Sequence, residues 1–190
     1  MHHCIIAHLK MTKLMSWNHD DHMHISELAK KDRTWWFEHV VNDPCPVMLP
    51  EPKLTLKCDS SLEGWGSVID NSSTSANGRW SPQERVSHIN YLEIKAVLLG
   101  LKSPCSELKH CIIKVLSDNQ TAVSYLRNMG GTHSRICNDI TREAILWCKE
   151  RDISLAITHL PGKLNIEADK ASRVFHDDTE WSLDDKVFQS

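Results

Sequence analysis

The stretch Cys111-Ile-Ile-Lys-Val-Leu116 runs into Ser117-Asp118 and then into a helical segment from about Gln120 to Met129. A short apolar strand that hands over directly to a helix is the building unit of an α/β fold, and its surroundings repeat that alternation. Upstream, Leu54, Leu56 and Cys58 alternate with polar residues as far as Asp59, which predicts a first strand. Gly64-Trp65-Gly66-Ser-Val-Ile-Asp70 predicts a second after a tight turn. Asn71 to Gly78 reads as a polar hairpin loop, with a short third strand around Arg79-Trp80. Asn90 to Lys102 is apolar on nearly every face, through Tyr91, Leu92, Ile94, Val97, Leu98, Leu99 and Leu101, as a helix buried against a sheet must be.

Downstream, Gly130-Gly131 stop the Gln120 helix, and Ile136, Ile140, Ala144, Trp147 and Cys148 recur at helical spacing. Ile153, Leu155 and Ile157 alternate in a fifth strand, and Asn165 is placed to cap a last helix ending near Val174. The order β-β-β-α-β-α-α-β-α predicts an α/β domain, a five-stranded mixed sheet with helices on both faces.

The 190 residues hold one such domain with short flanks. Residues 1–43 are rich in His and Met. They include a helix expected from Ile25 to Val41, capped by Ser26 and anchored by Leu28, Trp35, Trp36 and Val40. Pro44, Pro46, Pro50 and Pro52 make residues 44–53 an extended linker. The folded domain then spans 54–174, and 175–190 form a C-terminal tail.

Apolar residues make up 41% and charged residues 25% of the chain, the balance of a soluble globular protein. No apolar run approaches the roughly 18–20 residues of a membrane span. Residues 1–15 carry no secretory signal, so an intracellular protein, cytoplasmic or nuclear and not secreted, is expected. The seven cysteines are odd in number and include no Cys-x-x-Cys, which points to free thiols in a reducing compartment. A net charge of −3 argues against strong non-specific nucleic-acid binding, although a divalent cation at an acidic cluster would offset it locally. Neither His2-His3-Cys4 nor the histidines of 19–24 have the spacing of a closed metal site.

Four carboxylates stand at element edges. Asp59 ends the first strand and Asp118 the fourth, while Glu93 and Asp169 lie one turn inside helices. Singly, each has an ordinary account as a turn former, a dipole complement or a solvated helix face. Glu93 resists that account, because it interrupts a helix that is otherwise apolar, and a buried carboxylate needs a partner. If the first and fourth strands are neighbours, Asp59 and Asp118 sit side by side and repel unless divalent metal relieves them. Hard oxygen ligands suit magnesium. Two such ions about 3.5–4 Å apart can cleave a phosphodiester.

Four strings carry a resemblance. Cys58-Asp-Ser-Ser-Leu-Glu-Gly-Trp-Gly66, His88-Ile-Asn-Tyr-Leu-Glu93-Ile-Lys-Ala96, Leu116-Ser-Asp-Asn-Gln-Thr-Ala-Val123 and His159-Leu-Pro-Gly-Lys-Leu-Asn165-Ile-Glu-Ala-Asp169 resemble, in order and spacing, the motifs of type 1 ribonuclease H. The version here is most similar to the RNase H domains of DIRS-like and gypsy-like retrotransposons. The resemblance covers residues 54–174.

It implies an RNase H-like fold and an endoribonuclease that hydrolyses the RNA strand of RNA–DNA hybrids by a two-metal mechanism. Asp59, Glu93, Asp118 and Asp169 would hold two Mg2+ ions, with Mn2+ as an alternative and Asp59 bridging both. His159, ten residues before Asp169, matches the family's catalytic histidine, which sits in a mobile loop and helps proton transfer or product release. Ser61, Asn90, Gln120 and Asn165 match substrate contacts, Asn90 and Gln120 through the 2′-hydroxyls of the minor groove. On local grounds Asn90 is equally a helix cap and Gln120 equally a first-turn residue, while Asn165 is a cap first and a substrate contact second.

The short Gly-Gly-Thr-His-Ser connection after Met129 leaves out the basic helix that cellular bacterial relatives use to grip the hybrid. Arg79, Arg85, Arg127, Arg135, Lys163 and Arg173 remain for phosphate contacts. Residues from about Trp17 to Pro52 resemble the segment joining reverse transcriptase to RNase H, making 1–43 a remnant of that connection. Glu180 to Phe188 resembles the start of the region C-terminal to RNase H in such polyproteins. A reverse transcriptase domain in a full-length polyprotein is the implied protein partner. Two other readings stay open: a catalytically inactive RNase H-like module that binds nucleic acid or protein, from a decayed or domesticated element, and a transposase-like DNA cutter on the same fold.

Overall fold

The computed structural model describes residues 27–39, 50–131 and 133–174. The helix expected over 25–41 is present as α1, Glu27–His39. The side chains of Leu28, Trp35 and Trp36, and Ser26 and Val40 with the rest of 1–26, 40–49 and 175–190, lie outside the described residues. No helix among the described residues is long and apolar enough to cross a membrane.

From residue 54 the chain forms β1 Leu54–Ser60, β2 Gly64–Ile69, β3 Ser75–Arg79, α2 Pro82–Arg85, α3 Ile89–Lys102, β4 Cys111–Ser117, α4 Gln120–Arg127, α5 Arg135–Lys149, β5 Ile153–His159 and α6 Ile166–Arg173. A 3-10 turn, Gly162–Leu164, precedes α6. The five strands make one sheet in the order β3-β2-β1-β4-β5. The β1–β2 and β2–β3 pairs are antiparallel, and β1–β4 and β4–β5 are parallel. This is the mixed sheet that the sequence predicts.

Helices cover both faces, and neighbouring residues of β2 show it. A Cβ at Gly66 would lie 2.5 Å from the Ser172 backbone nitrogen, so α6 rests directly on that face. On the other face α3 approaches Ser67 and Cys58, with α4 and α5 beside it. The core lies on this α3 side, where Leu56, Ile94, Val97, Leu101, Ile113 and Val115 are wholly buried. Each such side chain contributes about 1.5–3 kcal/mol relative to exposure.

The third strand is misplaced by the sequence pattern. The stretch expected to be loop, up to Gly78, supplies most of β3, and Trp80 falls just after it. Ser75-Ala-Asn-Gly-Arg79 lacks strand-forming side chains, but the antiparallel ladder with Gly64–Val68 imposes the conformation. The turn is Asp70 to Thr74, with Asn71 in the left-handed region (φ 58°). Trp80 instead buries its ring and donates Nε1–H to the Ser61 carbonyl at 3.0 Å.

A helix the pattern did not anticipate, α2, is set by a capping box. Ser81 Oγ accepts from Glu84 N–H, Glu84 answers to Ser81 N–H, and Pro82 takes the first position. The Gly-Gly stop after α4 holds: Met129 is left-handed (φ 52°) and Gly130 N–H closes on the Tyr125 carbonyl at 2.7 Å.

Candidate functional site

The parallel strands carry the site at their C-terminal ends. Lys57 pairs with Leu116 across β1 and β4, so Asp59 and Asp118, two residues further along each chain, come out side by side. Ser117 pairs with His159 at the end of β5, which adds the imidazole to the same edge. Glu93, in the second turn of α3, points into this edge. One oxygen each from Asp59, Glu93 and Asp118 lie within 4.8 Å of one another.

Three carboxylates so close, two of them nearly sealed from water (Asp59 4% and Glu93 5% exposed), alter each other's ionisation. Burial first, then the charges of Asp59 and Asp118, push the Glu93 carboxyl up to about 9. Asp59 is raised too, chiefly by burial and further by Asp118 and Asp169. A hydrogen bond from Ser172 and the nearby Arg173 charge pull it back.

Glu93 Oε2 is buried with no hydrogen-bond partner. A carboxylate with an orphaned oxygen, clustered with two further carboxylates, is a donor set that suits a hard divalent cation. The residues present fit such an ion.

Asp169 stands beside this group and not within it. Its charge reaches Asp59, but its Oδ1 accepts from Arg173 Nε at 2.8 Å and from Nη2 at 2.7 Å. Three of the four expected carboxylates therefore converge, and the fourth is engaged one helical turn along α6.

His159 Nε2 lies 3.0 Å from the Asp118 carbonyl oxygen. A carbonyl only accepts, so Nε2 carries the proton and Nδ1 is the basic nitrogen of the neutral ring. The histidine ends β5 and is partly buried, rather than lying on the loop beyond it. That loop backs Asp118: a Cβ at Gly162 would come 2.9 Å from Asp118 Oδ2.

The expected substrate contacts divide into two sets. Gln120 is exposed as the first residue of α4, and Asn90 lies nearby in α3. Asn90 is not the cap of α3; His88 is, its Nδ1 accepting from Asn90 N–H at 3.1 Å. Asn119, which caps α4, donates Nδ2–H to Asn90 Oδ1 at 3.1 Å and so joins the two helix starts.

Ser61 and Asn165 are turned inward, 6% and 0% exposed. Ser61 Oγ donates to the Ser172 carbonyl at 2.7 Å and accepts from Gly64 N–H. Asn165 occupies the position before α6 without a capping bond. Its Nδ2 donates to the Cys58 carbonyl at 3.1 Å and to Asp59 Oδ1 at 3.4 Å. Packing of α6 onto β1 and β2 claims both side chains for the fold.

The sequence reading missed Ser172 and Asn119. Ser172, wholly buried, donates its hydroxyl to Asp59 Oδ2 at 2.8 Å. Its only signal was a serine three residues after Asp169. Asn119 carried a plainer one, a cap residue directly before a helix. Alongside Asn90, a groove of about 660 Å³ opens between α3, α4 and α5, lined by His88, Tyr91, Thr121, Tyr125 and His133 among others.

No family model matches the sequence, and no curated protein does. Solved structures do. RNase H1 of the halophilic archaeon Halobacterium salinarum NRC-1 superposes with a TM-score of 0.51 at 17% identity, over 62% of this chain and 92% of that one. LC11-RNase H1, solved in complex with an RNA/DNA hybrid, gives 0.52 at 17% identity over 63% and 93%. A further structure of LC11-RNase H1, isolated from compost by a metagenomic approach, gives 0.50 at 17% over 64% and 93%.

The fold is that of ribonuclease H. At this identity the likeness resides in the path of the backbone. It spans nearly the whole of each ribonuclease H1 chain and leaves over a third of this one outside. Within the shared ribonuclease H fold, the acidic cluster lies where the parallel strands β1 and β4 end, the edge at which open α/β sheets place their ligands.

Proposed function

We propose that this chain is an endoribonuclease that hydrolyses the RNA strand of RNA–DNA hybrids with two divalent ions, Mg2+ or Mn2+, leaving a 3′-hydroxyl and a 5′-phosphate. The observation that carries the reading is the convergence of Asp59, Glu93 and Asp118, with one Glu93 oxygen buried and unpartnered. When bound, the ions supply an activated water and stabilise charge at the departing oxygen.

The chain's own residues do the rest. Asp59, held on both oxygens by α6, is the rigid member of the ligand set. Glu93 and Asp118 complete the set, and Asp169 joins from α6. His159 Nδ1, one ring width from the Asp118 carbonyl, serves proton transfer at the site's edge. Asn90, tied to Asn119, and Gln120 present amides for the 2′-hydroxyls that mark the RNA strand.

The four motifs in order, and the short Asn128 to Ser134 connection between α4 and α5, support a retroelement origin. In this reading 54–174 are the RNase H domain, 1–43 the remnant of the reverse transcriptase connection, 44–53 the linker and 175–190 the tail. An attached polymerase domain supplies much of the hybrid affinity. A catalytically inactive, nucleic-acid-binding module is the second reading, favoured by one observation: Asp169 is paired with Arg173 and stands off the carboxylate trio.

The test is incubation of the full chain with a labelled RNA–DNA hybrid and Mg2+, beside Asp118→Asn. Cleavage of the RNA strand by the wild type and its loss in the variant are expected. No cleavage at high protein concentration overturns the reading, and cleavage of plain duplex DNA instead points to a DNA nuclease.

A further inference from the structure

Asp169 and Arg173 face each other across one turn of α6, and two guanidinium nitrogens converge on a single carboxylate oxygen. Both side chains are substantially exposed, 46% and 62%. The same guanidinium is close enough to Asp59 to act on its charge, so it stands as a cation at the rim of the acidic cluster. Asp169 Oδ1 thereby spends on Arg173 lone pairs that a metal ion could otherwise take, and the pair fixes the carboxylate along α6.

We propose that Arg173 is a resident counter-ion, which holds Asp169 off the cluster until divalent metal arrives and then turns to a phosphate of the hybrid. This rests on the functional reading above. An exposed pair between adjacent helical turns is weak and readily exchanged. A divalent ion carries twice the charge of the guanidinium and repels it from a shared carboxylate. Once released, the planar fork matches two phosphate oxygens, and the nucleic-acid backbone is the anion nearest at hand. Metal loading and substrate binding are coupled through one side chain.

A purely structural helix pair and a counter-ion that is exchanged make different predictions. Loss of a rim cation alone would shift the two affinities in opposite directions, so the exchange is read from the Asp169→Asn background, where an effect that runs through the pair disappears. Mn2+ binding to the full chain is measured by titration calorimetry without nucleic acid. Binding of a labelled RNA–DNA hybrid is measured with Ca2+ in place of Mg2+. Arg173→Ala should bind Mn2+ about two- to fivefold more tightly and the hybrid about two- to fivefold more weakly. Arg173→Gln should do the same, and Arg173→Lys should lie between.

In an Asp169→Asn background the gain in Mn2+ affinity should vanish. Circular dichroism and thermal melts confirm that each variant is folded. A wild type that binds Mn2+ while Arg173→Ala binds it equally overturns this inference and leaves the nuclease reading standing. Absence of Mn2+ binding in both overturns the two-metal reading and the inference with it.

Discussion

Ser172 Oγ lies 2.8 Å from Asp59 Oδ2, a bond from the last helix to the end of the first strand. With Asn165 on Oδ1, it leaves Asp59 one orientation. A hydrogen bond to a charged, buried acceptor contributes about 1.5–3 kcal/mol. Ser172→Ala should lose roughly that amount in urea denaturation, and RNA cleavage should fall by on the order of tenfold as Asp59 gains rotamer freedom. Parallel measurement of unfolding and initial rates checks it. Unchanged values in both would show the bond to be idle.

Glu93 gives the metal-free protein an inverted pH dependence. Its carboxyl is held up to about 9, so between the ordinary 4.5 and about 9 the folded chain keeps a proton that the unfolded chain has lost. Stability therefore falls as pH rises through this window. Melting in chelator from pH 5 to 9 should show the decline, and Glu93→Gln should flatten it and melt higher at pH 8. Mg2+ should raise the wild-type melting temperature and leave the variant unmoved. Coincident wild-type and variant profiles would contradict the buried acid.

Glu84 acts in the opposite sense. The Lys95 ammonium 2.5 Å away, reinforced by Ser81, lowers its carboxyl to about 2. Its contribution is complete above about 4.5 and is lost as pH falls toward 2. Lys95→Met should cost about 1 kcal/mol at neutral pH and make the acid limb of the stability curve shallower. Equilibrium unfolding at pH 7, 4 and 3 reads both effects.

Gly66 leaves no room for a side chain. Its absent Cβ would overlap the backbone of α6 at Ser172, Ala171 and Ala168. Backbone cannot swing aside as a side-chain tip does, so Gly66→Ala should cost about 1–3 kcal/mol or more. Because α6 would shift away from Asp59, Mn2+ affinity should fall as well. A calorimetric titration of the variant, below its melting point, separates that effect from unfolding.

Wherever a local pattern coincided with the tertiary demand, the sequence could be read. Glu93 stood out because its neighbours on all sides are apolar, and Asp118 because an apolar strand stops at it. The parallel pairing of β1 with β4 then did the assembling, as expected. The third strand escaped because Ser75-Ala-Asn-Gly-Arg79 is recruited by its ladder, with nothing in its own side chains to announce it.

Asn165 had the position of a cap, but once α6 docks its Nδ2 donates to a backbone carbonyl of β1, and Oδ1, the atom a cap would use, is buried without a partner. Ser172 was invisible for the same reason. A serine within a polar helix is ordinary, and its meaning lies in what packs 113 positions away. The pairing of Asp169 with Arg173 was present in the numbering as i and i+4, but the competition between that pair and the cluster appears only in three dimensions.

Ser172 comes after Asp59 by that long interval, and the sheet is complete only with β5, after which α6 packs on it. On the ribosome, Asp59 emerges first and waits through most of synthesis without the two side chains that orient it. In a growing chain the acidic cluster is thus left without its supports, and Asp59 is oriented only with α6, when almost all of the domain has already been made.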